Sequence, residues 1–225
     1  GAEKNFEYNS LVRFMFGDLV EAIAILVMKS AGVDIEAEQK AVKLQLGKHS
    51  VSGTLDVEID GKVWDIKSAS PYAFEQKFGQ MGGYKKIKED DVFGYVSQGY
   101  LYSKSRDKDF GGWIVINKAS GEWVVCEAPE LQEEDKKEAL ALAEKNLNAL
   151  LSGEKFKRCF TDKEETYKDK DKNVKKTGNR VLSSICGFCD FKRTCWPDAI
   201  MHRKVGSTAR FPKSVWYSKL KKREI

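Results

Sequence analysis

The chain has 225 residues, enough for one compact core with an appended element and too few for two large independent domains. With 41% hydrophobic and 32% charged residues, its composition is that of a folded protein and excludes wholesale disorder, while a formal net charge of +5 suits a polyanionic partner without specifying one. The longest apolar stretch, residues 22–28, is far too short to span a bilayer, so no membrane partner is expected and an intracellular, cytoplasmic location is.

Residues 11–30 are apolar nearly all round, which predicts a buried helix stopped by Gly32. Alternation through 41–46, 51–59 and 62–68, with Asp60-Gly61 between the last two, predicts an antiparallel meander. Pro71 opens a short helix, and Gly79, Gly82 and Gly83 mark a loop. A second substantial helix is expected over 90–105, a hairpin over 111–127 and an amphipathic helix over 131–151. After Gly153 the character changes. Residues 154–180 are rich in Lys, Asp and Glu, which predicts a polar loop or insertion; a cysteine-rich stretch and a basic tail over 202–223 follow, interleaved with Phe211, Trp216 and Tyr217. The expected fold class is α/β (α+β-like), with a mixed central sheet flanked by helices over 1–153. Residues 154–225 are expected to form a polar insertion, a small C-terminal Cys-rich element and the tail, packed on the core.

The stretch Gly53-Thr54-Leu55-Asp56 through Asp65-Ile66-Lys67 is the most informative. If Asp60-Gly61 is a two-residue turn, Ile59 pairs with Lys62, Val57 with Trp64, and Asp56 faces Asp65. Two carboxylates so placed repel unless a positive charge lies between them, and a divalent cation is the natural candidate. Side chains alternate along a strand, so Lys67 shares a face with Asp65, while Leu55, Val57, Ile59, Trp64 and Ile66 form an opposite, apolar face. Glu21 stands isolated in the predicted buried helix. Its ordinary explanation is a salt bridge to an unseen partner, but beside an acidic hairpin a metal ligand is the better reading. Gln98 and Tyr102, four apart on a predicted helix, share a face, with Tyr95 one turn earlier.

In this order the motifs resemble the RecB-like branch of the PD-(D/E)xK nucleases, which includes phage recombination exonucleases and the Cas-type nucleases of CRISPR adaptation. Glu21 is similar to the branch's first acidic ligand, Gly53-Thr54-Leu55-Asp56 to its G-x-x-D motif, Asp65-Ile66-Lys67 to its (D/E)xK motif, and Gln98 with Tyr102 to its Q-x3-Y motif, over roughly residues 16–102. The resemblance implies a restriction-endonuclease-like core and a DNA nuclease, an exonuclease of phage or recombination and repair type. Mg2+ or Mn2+ would be held by Glu21, Asp56, Asp65 and the carbonyl of Ile66, with Lys67, Gln98 and Tyr102 completing the catalytic set. Lys67 would orient or deprotonate the attacking water or stabilise the phosphate. Lys85, Lys86, Arg210 and Lys213 are the candidate DNA contacts, and a homo-oligomer or a recombination protein is a further candidate partner.

Cys186, Cys189 and Cys195 form a C-x2-C-x5-C set similar to the C-terminal cysteine triplet of iron–sulfur members. Those members take a fourth cysteine from before the core, where this chain has none, and Cys159 is the substitute; Cys126, in a predicted strand, reads as an ordinary buried thiol. Four thiolates suit a [4Fe–4S] cluster or Zn2+, and the resemblance favours the cluster. The alternative to an enzyme is a non-catalytic nucleic-acid-binding protein with a structural metal centre.

Overall fold

The computed structural model describes residues 8–153, 157–189 and 191–221, although not the side chains of residues 9, 10, 13 and 188. The chain divides into two compact units, with the boundary after Gly153.

In the first unit, helix α1 (Tyr8–Ser30) precedes a meander of β1 (Ile35–Leu46), β2 (His49–Ile59) and β3 (Lys62–Ala69). A short helix α2 (Pro71–Ala73) runs into a π-helical turn over Phe74–Phe78. After α3 (Tyr84–Glu89) and α4 (Tyr95–Arg106), β4 (Asp109–Asn117) returns parallel to β3, and β5 (Trp123–Glu127) and α5 (Glu133–Leu151) close the unit. The five strands form one mixed sheet in sequence order, all other pairings being antiparallel. A parallel pair needs a crossover, and α2 to α4 supply it. α4 starts later than the apolar spacing predicts because Gly94 is left-handed at φ 73° and the Asp91 carboxylate accepts from Tyr95 N and Val96 N at 2.6 and 3.0 Å.

Both faces of the sheet are covered, and on β2 and β3 the expected alternation holds, with Val57 and Ile66 on one face and Asp65 and Lys67 on the other. Val57, Ile66, Ile114 and Ile116 pack with Val20, Ala24, Ile25 and Met28 of α1. On the other side Ala69, Phe110, Trp113 and Val115 pack with Phe74, Phe78, Val96 and Tyr100. Helix α1 is corrected: only that one stripe is buried, and Leu19, Ile23 and Leu26 are more than half exposed.

In the second unit the polar stretch after Gly153 is an ordered hairpin rather than a loop. β6 (Lys163–Lys168) and β7 (Val174–Val181) belong to a four-stranded sheet of order β6-β7-β9-β8. The basic tail supplies β8 (Ile200–Arg203) and β9 (Ser214–Lys219); residues 222 and 223 of that tail lie outside the described residues. Lys-rich strands are stable here because they are organised around one buried carboxylate. Glu165 accepts from Thr177 Oγ1 (2.8 Å), Asn179 Nδ2 (2.9 Å), Gly206 N (2.9 Å) and Tyr217 Oη (2.7 Å). Burial alone would raise its pKa, but these donors together hold it below the usual range. Between β7 and β8 lie the short helices α6 (Ser184–Phe188) and α7 (Lys192–Cys195).

A candidate acidic metal centre

The turn between β2 and β3 sets the geometry of the site. Asp60 and Gly61 are both left-handed, at φ 50° and 70°, which is the type I′ arrangement that two-residue hairpins favour. Ile59 pairs with Lys62 and Val57 with Trp64, as the sequence predicts, and the β2–β3 ladder ends there. One step beyond, Asp56 Oδ2 accepts the N–H of Ile66 at 2.7 Å. A side-chain carboxylate thus takes the place of a strand carbonyl as acceptor, which holds Asp56 at the parting of the strands. Ile66 offers its N–H to this cluster through Asp56, a different contact from the carbonyl ligation expected of it.

Asp65, only 3% exposed, is met by Lys67 two residues on, whose Nζ lies 2.8 Å from each carboxylate oxygen. Asp65 Oδ2 nevertheless makes no hydrogen bond, its contact with the ammonium being an ion contact without hydrogen-bond geometry. Lys67 Nζ also stands 5.4 Å from the centre of the Tyr95 ring. From α1, half-buried Glu21 comes within hydrogen-bonding reach of Asp56, and its carboxylate accepts from Gln39 Nε2.

The electrostatics follow from three carboxyl groups and one ammonium sharing a partly dry space. Burial pushes Asp65 up to about 7, with the charge of Asp56 adding to it and Lys67 opposing. Glu21 is also raised to about 7, first by burial and then by the charge and hydrogen bond of Asp56. Burial raises Asp56 as well, against the Ile66 N–H and Lys67. For Lys67 burial works downward, but the charge and hydrogen bond of Asp65, then Asp56, outweigh it and raise the pKa. Lys67 is therefore a firm cation in this arrangement, and the depressed pKa that a general base needs is absent from it.

Gln98 and Tyr102 stand on α4 and line a neighbouring cavity of about 390 Å³ with Val42, Gly53, Leu101 and Leu147. Tyr102 packs on Gly53 so closely that a Cβ there would lie 2.7 Å from Tyr102 Cε1. The glycine of one motif thus makes room for the tyrosine of another. Among the described residues no hydrogen bond links Gln98 or Tyr102 to the carboxylates. Lys85 and Lys86 are exposed on α3, with Lys86 Nζ donating to the Met81 carbonyl at 2.9 Å. Arg210 and Lys213 are exposed in the second unit.

One contributor escapes the sequence reading, and another is named there without a role. Gln39 carries no motif, and it reaches Glu21 from a left-handed backbone at φ 46° that sequence spacing does not signal. Tyr95 is signalled, one turn before Gln98, but a tyrosine at that spacing reads as core.

The donor set fits a hard divalent cation: all oxygen, net negative, with one buried oxygen lacking a hydrogen bond. As they stand, no three His, Cys, Asp or Glu side chains among the described residues are close enough to grip one ion, so the three carboxylates would have to close up to hold one. The cysteines fit a shared centre less well. Cys186 is buried, and its thiol is raised by burial and by the nearby Cys189 and Cys195. Cys159 is exposed, and its Sγ contacts its own segment at the Lys157 carbonyl, 3.8 Å away. Its neighbour Arg158 donates to the Cys195 carbonyl at 2.9 Å and stacks 3.9 Å from the Trp196 ring, so the segment is near the triplet without its thiol joining it. No family model, curated protein or solved structure matches the chain.

Proposed function

We propose that Glu21, Asp56 and Asp65 hold Mg2+ or Mn2+ and that the chain is a DNA phosphodiesterase, an exonuclease on a restriction-endonuclease-like core. The observation that carries this reading is the gathering of Glu21, Asp56 and Asp65 around the single ammonium of Lys67, in a cluster where two carboxyls are held at about 7. Such a site is costly to the empty protein and is relieved by a dication. When bound, the ion lowers the pKa of water and neutralises charge on the phosphate.

The rest falls to the chain's own side chains. The Ile66 N–H fixes the rotamer of Asp56. Lys67, held between Asp65 and the Tyr95 ring, presents its ammonium to a phosphate and orients the attacking water. Gln98 and Tyr102 offer an amide and a phenol in the cavity beside β2, where a nucleotide strand would be positioned. Lys85, Lys86, Arg210 and Lys213 supply backbone contacts. Residues 154–225 carry the cysteine triplet, for which a [4Fe–4S] or Zn2+ centre is a separate proposal resting on spacing; no step of the chemistry depends on it.

The test is a time course on end-labelled single- and double-stranded DNA with and without Mn2+, alongside calorimetric Mn2+ titration. Cleavage is expected only with the metal and is lost in Asp65→Ala and Lys67→Ala proteins that remain folded. Wild-type protein that binds no Mn2+, or an Asp65→Ala variant of full activity, sinks the reading. Binding of Mn2+ and DNA without cleavage would instead favour a non-catalytic module.

A further inference from the structure

Helix α1 buries Val20, Ala24, Ile25 and Met28 against the sheet and turns a second apolar stripe the other way. At ~100° per residue, Leu19 lies about 200° round the helix from Glu21 and so points away from the acidic cluster. The outward stripe consists of Leu11, Val12, Met15, Leu19, Ile23, Leu26 and Val27, each between 44% and 64% exposed. With the flanking Tyr8 and Phe16, exposed at 78% and 46%, the patch amounts to on the order of 800 Å², about what each partner contributes to a standard interface and more than a typical monomer leaves open.

The order of residues in the stripe says what covers it. Read from Leu19 outward it is its own reverse: Met15 and Ile23 stand four positions either side, Val12 and Leu26 seven, Leu11 and Val27 eight. A two-fold interface demands this self-complementarity, because whatever residue i meets on the partner must in turn meet residue i. The four- and three-residue steps are also those of a helix seam that packs knobs into holes. We infer that α1 pairs antiparallel with α1 of a second copy of this chain, on a two-fold axis through Leu19. Met15 of each copy then meets Ile23 of the other, and both acidic clusters stay on the far faces of the paired helices. The inference is independent of what the acidic cluster does.

Sedimentation velocity of the full chain over a hundredfold concentration range tests it. The wild type is expected to dimerise. Met15→Lys with Ile23→Lys sets like charges opposite each other and should weaken the dimer at least tenfold. Met15→Lys with Ile23→Glu sets each introduced lysine against the partner's introduced glutamate and should restore it. Both positions of change are exposed, so melting temperatures should stay within a few degrees of the wild type. A wild type monomeric throughout, or a dimer that responds equally to both double variants, overturns the inference. Capture of the monomer by phosphatidylcholine vesicles would give the stripe to a lipid surface and would overturn it too.

Discussion

Asp65 and Glu21 both titrate at about 7 in the fold, well above an unfolded carboxylate, with burial the main cause for each. A carboxyl whose pKa rises on folding binds its proton more tightly in the folded state. The stability it contributes is complete below the unfolded value near 4 and is lost as pH rises through 7. Lys67 does not confuse this window, because its raised pKa acts only above the ordinary lysine value. In EDTA the melting temperature should therefore fall between pH 5.5 and pH 8. Asp65→Asn removes one of the opposing charges at nearly constant volume, so it should flatten that slope and raise the melting temperature at pH 8 by a few degrees, about 1 kcal/mol for a chain of this size. Mn2+ should stabilise the wild type at pH 8 and the variant much less. Thermal melts by circular dichroism decide it: a wild type indifferent to pH in EDTA, or a variant less stable at pH 8, removes the electrostatic argument for an ion.

At the scale of elements, β2 and α4 are fitted to each other through Gly53 and Tyr102. Gly53→Ala places a Cβ 2.7 Å from Tyr102 Cε1 and 3.0 Å from its hydroxyl, so the ring must swing away into the adjoining cavity. Stability should change little, but if Tyr102 positions the strand, DNA cleavage should drop about a hundredfold, the scale of a 1 Å misplacement near a reacting centre. Equal activity in Gly53→Ala and wild type would mean that Tyr102 only packs. This contact also marks how far the sequence could be read. The Asp-Gly turn, the β2–β3 register and the proximity of Asp56 to Asp65 follow from local rules that tertiary packing does not override. The participation of Gln39 is not legible, because it depends on a left-handed residue and on the packing of α1 that brings Glu21 to it. Neither is the order in residues 163–181, where a charged sequence is organised by the single buried Glu165, a solution that composition conceals. The cysteines make a third element-scale case. Cys186 sits in the small core of Leu182, Ala199, Trp196 and Trp216, whereas Cys159 is exposed. Cys186→Ser buries a hydroxyl among apolar groups and should cost about 1–3 kcal/mol, while Cys159→Ser should be neutral in urea unfolding. Equal losses from both would instead point to one centre that both thiols share.

For the molecule as a whole, the excess of five positive charges comes from the second unit, since residues 1–153 carry a net charge of −6 and residues 154–225 one of +11, although each unit has exposed candidate contacts for a phosphate backbone. Lys85 and Lys86 belong to α3 of the first, Arg210 and Lys213 to the second. Whether both units engage one nucleic acid is readable from salt dependence, because each phosphate neutralised releases counterions and contributes about −0.9 to the slope of log K against log salt on duplex DNA. If all four cations contact phosphates, Lys85→Ala with Lys86→Ala should reduce the magnitude of that slope by about 1.8, and Arg210→Ala with Lys213→Ala by the same amount. The two pairs should then add in the quadruple variant, since sites in separate units share no partner. Because Lys86 already donates to the Met81 carbonyl, the first pair should give the smaller change if that bond survives in the complex. Fluorescence anisotropy with a labelled duplex, in EDTA to prevent cleavage, supplies the slopes between 50 and 200 mM salt as the range over which such contacts are known to be resolved. A slope that changes only with the first pair would confine DNA to the first unit. A slope that changes with neither would leave the positive charge as solvated surface and take away the electrostatic support for a nucleic-acid substrate.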